Sequence, residues 1–118
     1  MGLFSRDSAT FAVIGLGRFG TAVARTLASY DQDVILIDKD AEKIRELREI
    51  SDYAYIMKRF DLKSFEEVGM RDVDTAIVCI GENLEANLLA VLYCQQLEVK
   101  NIIAKANSID QGVILKKM

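Results

Sequence analysis

The chain has 118 residues and a formal charge of −3, with 15 basic and 18 acidic side chains; 51% of it is hydrophobic and 28% charged. That length suits one domain, and that apolar content excludes a disordered chain. A mildly acidic surface offers no basic face to nucleic acid or anionic lipid. There is no histidine, so the commonest general base and the commonest zinc ligand are both missing, and no metal site is expected.

In chain order, residues 1–10 are polar and charged and read as an N-terminal tail, not a secretory leader. No apolar run reaches the length of a bilayer span, so no direct membrane insertion and a cytoplasmic setting are expected. Phe11–Ile14 is a first strand candidate that ends in Gly15. Arg18–Tyr30 follows with Phe19, Val23 and Leu27 at helical spacing. Asp33–Asp38 is a second apolar run, and Asp40–Ile50 a charged helix with Ile44, Leu47 and Ile50 on one face. Tyr53–Met57 is a third strand, Leu62–Val68 a short helix stopped by Gly69, and Thr75–Ile80 a fourth strand with the most buried character. Glu82–Leu97 is the longest helix, with Leu84, Leu88, Val91 and Leu92 facing one way. Lys100–Lys105 is a fifth strand, and Ser108 caps a last helix running to Met118. Cys79 and Cys94 fall inside apolar segments as buried thiols, with no spacing that suggests a metal or disulfide pair.

Five apolar strands alternating with helices indicate an α/β fold. A parallel sheet covered on both faces needs right-handed crossovers, which the helices supply. The expectation is a Rossmann-like doubly wound parallel sheet with strand order 3-2-1-4-5.

Gly15-Leu16-Gly17-Arg18-Phe19-Gly20 is a complete G-x-G-x-x-G between an apolar strand and an amphipathic helix. The three glycines serve a tight turn, an approach for phosphate and a close helix–strand packing. The helix N-terminus adds unpaired N–H groups and partial positive charge. Asp38 ends the second strand 18 residues after the last glycine, close to the spacing of about 20 at which an acid meets a ribose. A carboxylate there repels a 2′-phosphate and favours NAD or an adenosine phosphate over NADP. Arg18 lies beside the expected phosphate. Glu82 and Asn83 follow the fourth strand, and Lys105 ends the fifth on the same edge. Asn83 and Lys105 fit ligand contact and simple capping or solvation equally well.

With these residues placed, the chain resembles the RCK domain, also called the KTN or TrkA-N domain, of potassium channel and transporter regulators. The segments FAVIGLGRFGTAVARTL, DVILIDKDAEKI, VGMRDVDTAIVCIGENLEANLLA and NIIAKANS carry the resemblance through nearly the whole chain. It implies a regulatory domain, not an enzyme, in a homo-oligomer, a dimer or a ring of eight. It further implies a place on the inner face of the membrane beside an integral-membrane potassium transporter or channel subunit. The implied ligand is NAD(H) or ATP/ADP. By position, Gly15, Leu16, Gly17, Arg18, Phe19 and Gly20 correspond to the phosphate loop, and Asp38 and Lys39 to the ribose end. Ile80, Gly81, Glu82 and Asn83 correspond to the loop after strand four, and Lys105 to the end of strand five. The family usually has Gly-Asp or a similar small polar pair after strand three, near the adenine side. Met57-Lys58 stands there instead, bulkier and opposite in charge. The resemblance also implies a further C-terminal strand and lobe, which residues 11–118 do not include.

Two other readings use the same residues. A small NAD-dependent oxidoreductase fits the glycine loop and Asp38 but leaves no residues for a substrate domain. A Rossmann scaffold without ligand fits the replacement at Met57-Lys58.

Overall fold

Each β-branched run becomes a strand and each amphipathic stretch a helix in the computed structural model, which describes residues 10–81 and 83–118. The order is β1 (Thr10–Ile14), α1 (Arg18–Ser29), β2 (Asp33–Asp38), α2 (Ala41–Leu47), β3 (Tyr53–Ile56), α3 (Leu62–Glu67), a 3-10 turn at Met70–Asp72, β4 (Thr75–Val78), α4 (Leu84–Gln96), β5 (Asn101–Ala104) and α5 (Ile109–Lys117). The strands form one parallel sheet in the order β3-β2-β1-β4-β5, as expected. Ile14 lies level with Ile37 on one side and Val78 on the other. The carboxyl ends of β1, β2 and β4 therefore open together at one edge, where the chain reverses direction across the sheet.

Alternation along the strands divides the core between two faces. Val13, Val34 and Leu36 meet Ala24 of α1 and Ile44 and Leu47 of α2. Ala12, Ile14, Ile35 and Ile37 meet Phe65 of α3 and Ala90, Val91 and Cys94 of α4. The most buried strand is β2, not β4 as expected. Thr75 and Ile77 of β4 are only half-buried, because on their face the neighbouring Ile103 of the edge strand β5 stays 57% exposed.

Several boundaries shift from the sequence reading. Thr10, read as tail, is the first residue of β1; residues 1–9 of that tail lie outside the described residues. The third and fourth strands stop before Met57 and Cys79, because their last ladder bonds come from Met57 N–H to the Asp38 carbonyl and from Cys79 N–H to the Ile14 carbonyl. Helix α4 also differs. The side that meets the sheet is Asn87, Ala90, Val91 and Cys94, while Leu84 and Leu92 are exposed. A helix apolar on every side gives no stripe to read, so the expected grouping of Leu84, Leu88, Val91 and Leu92 fails.

Side chains at the helix starts satisfy orphan amides. Asp40, Asp61, Asn83 and Ser108 accept from Glu42, Ser64, Ala86 and Gln111 N–H respectively. Helices α1 and α4 end in Schellman turns. Gln32 and Val99 mark the two closures: Gln32 N–H donates to the Leu27 carbonyl and Val99 N–H to the Cys94 carbonyl. Both turns place a non-glycine residue in the left-handed region, Asp31 at φ 59° and Glu98 at φ 61°. At the opposite edge of the sheet Thr10 N–H donates to Asp74 Oδ2 at 3.0 Å across 64 positions of sequence. No helix among the described residues is long and apolar enough to cross a membrane.

Candidate functional site

Two of the three loop glycines are explained by the protein's own packing. Gly15 has φ +97°, and a Cβ on it would lie 2.9 Å from the Cys79 backbone. A Cβ on Gly20 would collide with the Gly15 carbonyl oxygen and crowd the Cys79 Cβ at 3.2 Å. Gly17 is different. Its φ is −73°, which any residue adopts, and a Cβ there would meet no atom within 4 Å. Its backbone faces a cavity of about 460 Å³ lined by Leu16, Arg18, Thr21, Lys43, Glu46 and Leu47.

Gly17 is also the N-cap of α1, and it has no side chain with which to cap. The other four α-helices all carry a side-chain cap. The first turn of α1 holds no acid, and Arg18 opens it. Its amides and helix dipole therefore face open space with nothing negative among the helix's own first residues, the electrostatic setting of an anion site.

Asp38 is 7% exposed, and two main-chain donors hold it. Leu16 N–H donates to Oδ2 at 2.6 Å, and Asp40 N–H to Oδ1 at 2.8 Å. The carboxylate thus fastens the glycine loop to the start of α2, and each oxygen keeps a lone pair for a further donor. Charge-assisted bonds of this kind contribute about 1.5–3 kcal/mol each. The sequence pointed to Asp38 for its strand-end position at a ribose-binding distance from the glycine loop, not for this tie.

Met57 and Lys58 part company. Met57 is buried in the core with Phe65 and Met70. Lys58 lies exposed, and its Nζ donates to the Lys39 carbonyl at 2.9 Å. The ammonium thereby joins the loop after β3 to the loop after Asp38. Asn83, one of the two residues with an open assignment, caps α4 by accepting from Ala86 N–H at 3.0 Å. Lys105 reaches back from the end of β5 to the glycine loop, where its Nζ sits 5.3 Å from the Phe19 ring centroid. Ile80 and Gly81 lie in the loop between β4 and α4, with Gly81 close to the Asn107 side chain. Glu82 lies outside the described residues.

The structure thus brings Gly15 to Gly20, Asp38, Lys39, Lys58, Ile80, Gly81, Asn83 and Lys105 to one edge of the sheet. Two further residues escaped the sequence reading. Lys43 lines the Gly17 cavity from α2, and its position one turn before Leu47 was the available signal. Asn87 is fully buried, and its Nδ2 donates to the Ile80 carbonyl at 3.1 Å and the Lys105 carbonyl at 3.4 Å. Its Oδ1 has no partner among the described residues. The thiols are inert: burial pushes Cys79 up to about 11, against a small opposing pull from Lys105, and burial pushes Cys94 up to about 12. Both are free and buried, as expected.

Comparison with known proteins agrees with the fold. The chain is 36% identical over 108 residues to the Ktr system potassium uptake protein C of Bacillus subtilis, an alignment that covers 92% of this chain and 49% of that protein. It is 32% identical over 108 residues to the Ktr system potassium uptake protein A of Vibrio alginolyticus, with the same two coverages. The chain therefore spans about half the length of the curated relatives it matches. Among solved structures, the NAD(P)-binding domain of an exopolyphosphatase-related protein from Archaeoglobus fulgidus superposes with a TM-score of 0.78 at 21% identity, over 91% of this chain and 80% of that one. The TrkA-N domain of an inner membrane protein from Escherichia coli superposes at 0.61 and 14% identity, over 94% and 97%. Both likenesses concern the fold. The profile of the TrkA-N domain matches residues 11–118, and the chain belongs to that family.

Proposed function

We propose that this chain is the nucleotide-sensing domain of a potassium-uptake regulator. Its ligand is an adenine nucleotide, NAD(H) or ATP/ADP, with phosphates at the start of α1 and a ribose at Asp38. The observation that carries this reading is Gly17: the one α-helix among the described residues without a side-chain cap begins on a glycine whose missing Cβ leaves open space. The protein's packing does not require glycine there, and an approaching phosphate does. Arg18 and Lys43 supply cations that line that space, with Glu46 beside them, and Lys105 stands over the Phe19 ring of the same loop. Lys39, Lys58, Ile80, Gly81 and Asn83 frame the rest of the cleft.

The potassium-uptake setting rests on the names of the relatives, Ktr and Trk uptake proteins. In this reading the domain works beside an integral-membrane transport subunit, at the cytoplasmic face and as a homo-oligomer. Regulation then follows from differential affinity: a nucleotide that binds one arrangement of the assembly more tightly shifts its population, and one that binds all arrangements equally does nothing.

A thermal-shift panel of NAD+, NADH, NADP+, ATP, ADP and AMP tests the proposal. A ligand at 100 times its dissociation constant stabilises by about 2.7 kcal/mol, a shift of roughly 10 °C for a chain of this size. At least one nucleotide is expected to give it, and Gly17→Val and Asp38→Ala are each expected to reduce it. A flat response across the panel leaves a scaffold without ligand.

A further inference from the structure

Asn87 is an unusual choice for the face of α4 that meets the sheet. Its companions there are Ala90, Val91 and Cys94, and a buried amide earns its place only through its bonds. Both neighbours of its nitrogen are carbonyls, Ile80 at 3.1 Å and Lys105 at 3.4 Å. The amide must therefore turn its NH2 toward them, which leaves Oδ1 on the other side, buried and unpartnered among the described residues. An apolar residue of similar size would avoid that orphan acceptor, so packing alone does not account for an asparagine here.

The two carbonyls belong to different loops, one after β4 and one after β5. The first loop carries Gly81 and leads into the cap of α4 at Asn83. The second carries Lys105, whose ammonium lies over the Phe19 ring of the glycine loop. A continuous set of contacts thus runs from α4 through Asn87 to Lys105 and on to Phe19. We propose that Asn87 is a positioning residue for the nucleotide site. It holds the loops after β4 and β5 at the spacing the ligand needs, and it transmits ligand binding to α4. This inference rests on the nucleotide reading above.

The test uses the full chain with ADP and NAD+ as probes, dissociation constants from isothermal titration and stability from urea unfolding. Asn87→Leu removes both donors and is expected to raise the dissociation constant of whichever probe binds the parent by roughly tenfold or more. Asn87→Ser keeps one short donor and is expected to fall between the two. A residue that only stabilises the fold would lower the urea midpoint and leave affinity where it was, so matching dissociation constants in folded variants overturn the proposal. The parent chain supplies a reading that needs no variant. On saturation with a binding probe, the 15N-correlated signals of the Asn87 side-chain amide and of the Lys105 backbone are expected to move together with those of the glycine loop. Movement confined to the glycine loop refutes the coupling. If the parent binds neither probe, whichever nucleotide of the thermal-shift panel does bind takes their place; a parent that binds none of that panel ends the nucleotide reading and this inference with it, whereas a binding parent with indifferent Asn87 variants ends this inference alone.

Discussion

Substituting alanine at each loop glycine separates folding from binding. At Gly20 the new methyl would drive into the Gly15 carbonyl oxygen and sit 3.2 Å from the Cys79 Cβ. Backbone cannot step aside cheaply, so the cost is about 3 kcal/mol, the upper end for overpacking, or roughly 12 °C in Tm. At Gly15 the strain of φ +97° adds to a 2.9 Å clash with the Cys79 backbone, for a loss of about 2–3 kcal/mol. At Gly17 the φ of −73° suits alanine and no atom lies within 4 Å. There the gain from a stiffer unfolded chain, about 0.4–1 kcal/mol, offsets a similar loss from alanine at an N-cap. Gly17→Ala should therefore unfold within about 2 °C of the parent while its thermal shift with nucleotide falls sharply. Differential scanning fluorimetry with and without saturating ADP or NAD+ measures both quantities in one plate. A Gly17→Ala chain that binds like the parent, or that melts as early as Gly20→Ala, would show that the open space in front of Gly17 is not where the ligand lies.

Other outcomes follow from contacts described above. Asp38→Asn leaves one oxygen to serve two main-chain donors and turns an NH2 toward the other, so stability should fall by about 1.5–3 kcal/mol in urea titrations; an unchanged midpoint would mean the tie between Leu16 and Asp38 is idle. Asp31→Gly and Glu98→Gly relieve left-handed backbone at two Schellman turns and should each raise stability by about 0.5–1 kcal/mol; a loss at both would contradict the assigned conformations. The native thiols are raised to about 11 and 12, above the unfolded value of about 9. Their contribution is therefore complete below about pH 9 and is lost as pH rises toward 11–12. A Cys94→Ala chain should show less of that alkaline loss than the parent, and at pH 8 a thiol reagent should label the native chain only as fast as it opens.

Strand order, the two-sided core, the buried cysteines and the Ser108 cap were all legible in the sequence, because each depends on local periodicity or on a short, stereotyped turn. The same is true in part of Gly15 and Gly20: the positive φ of one and the clash of the other with the Gly15 carbonyl arise within the loop, while the crowding of both against Cys79 does not. What escaped reading depends on pieces far apart in the chain. Asn87 sits in an apolar run, and only the pairing of β4 with β5 brings the Ile80 and Lys105 carbonyls to its amide. Met57 looked like an obstruction because nothing local says that its side chain turns inward while Lys58 turns out to the Lys39 carbonyl. Helix α4 misled in a third way: with leucine on every side, periodicity could not separate the face on the sheet from the face toward solvent.

The sheet's strand order also shapes how the chain reaches its fold. β1 is the first strand made, yet it is flanked late, since one side of it pairs with β2 at once while the other waits for residues 75–78. On a ribosome, the first three strands emerge with an open hydrogen-bonding flank along Phe11–Ile14 until the fourth strand is made. Such a flank is a template for the wrong neighbour, and closing it late makes assembly slower than for chains of local contacts. Changes that weaken β4 should therefore appear first as poor yield of soluble protein during synthesis, before any change in the behaviour of the finished molecule.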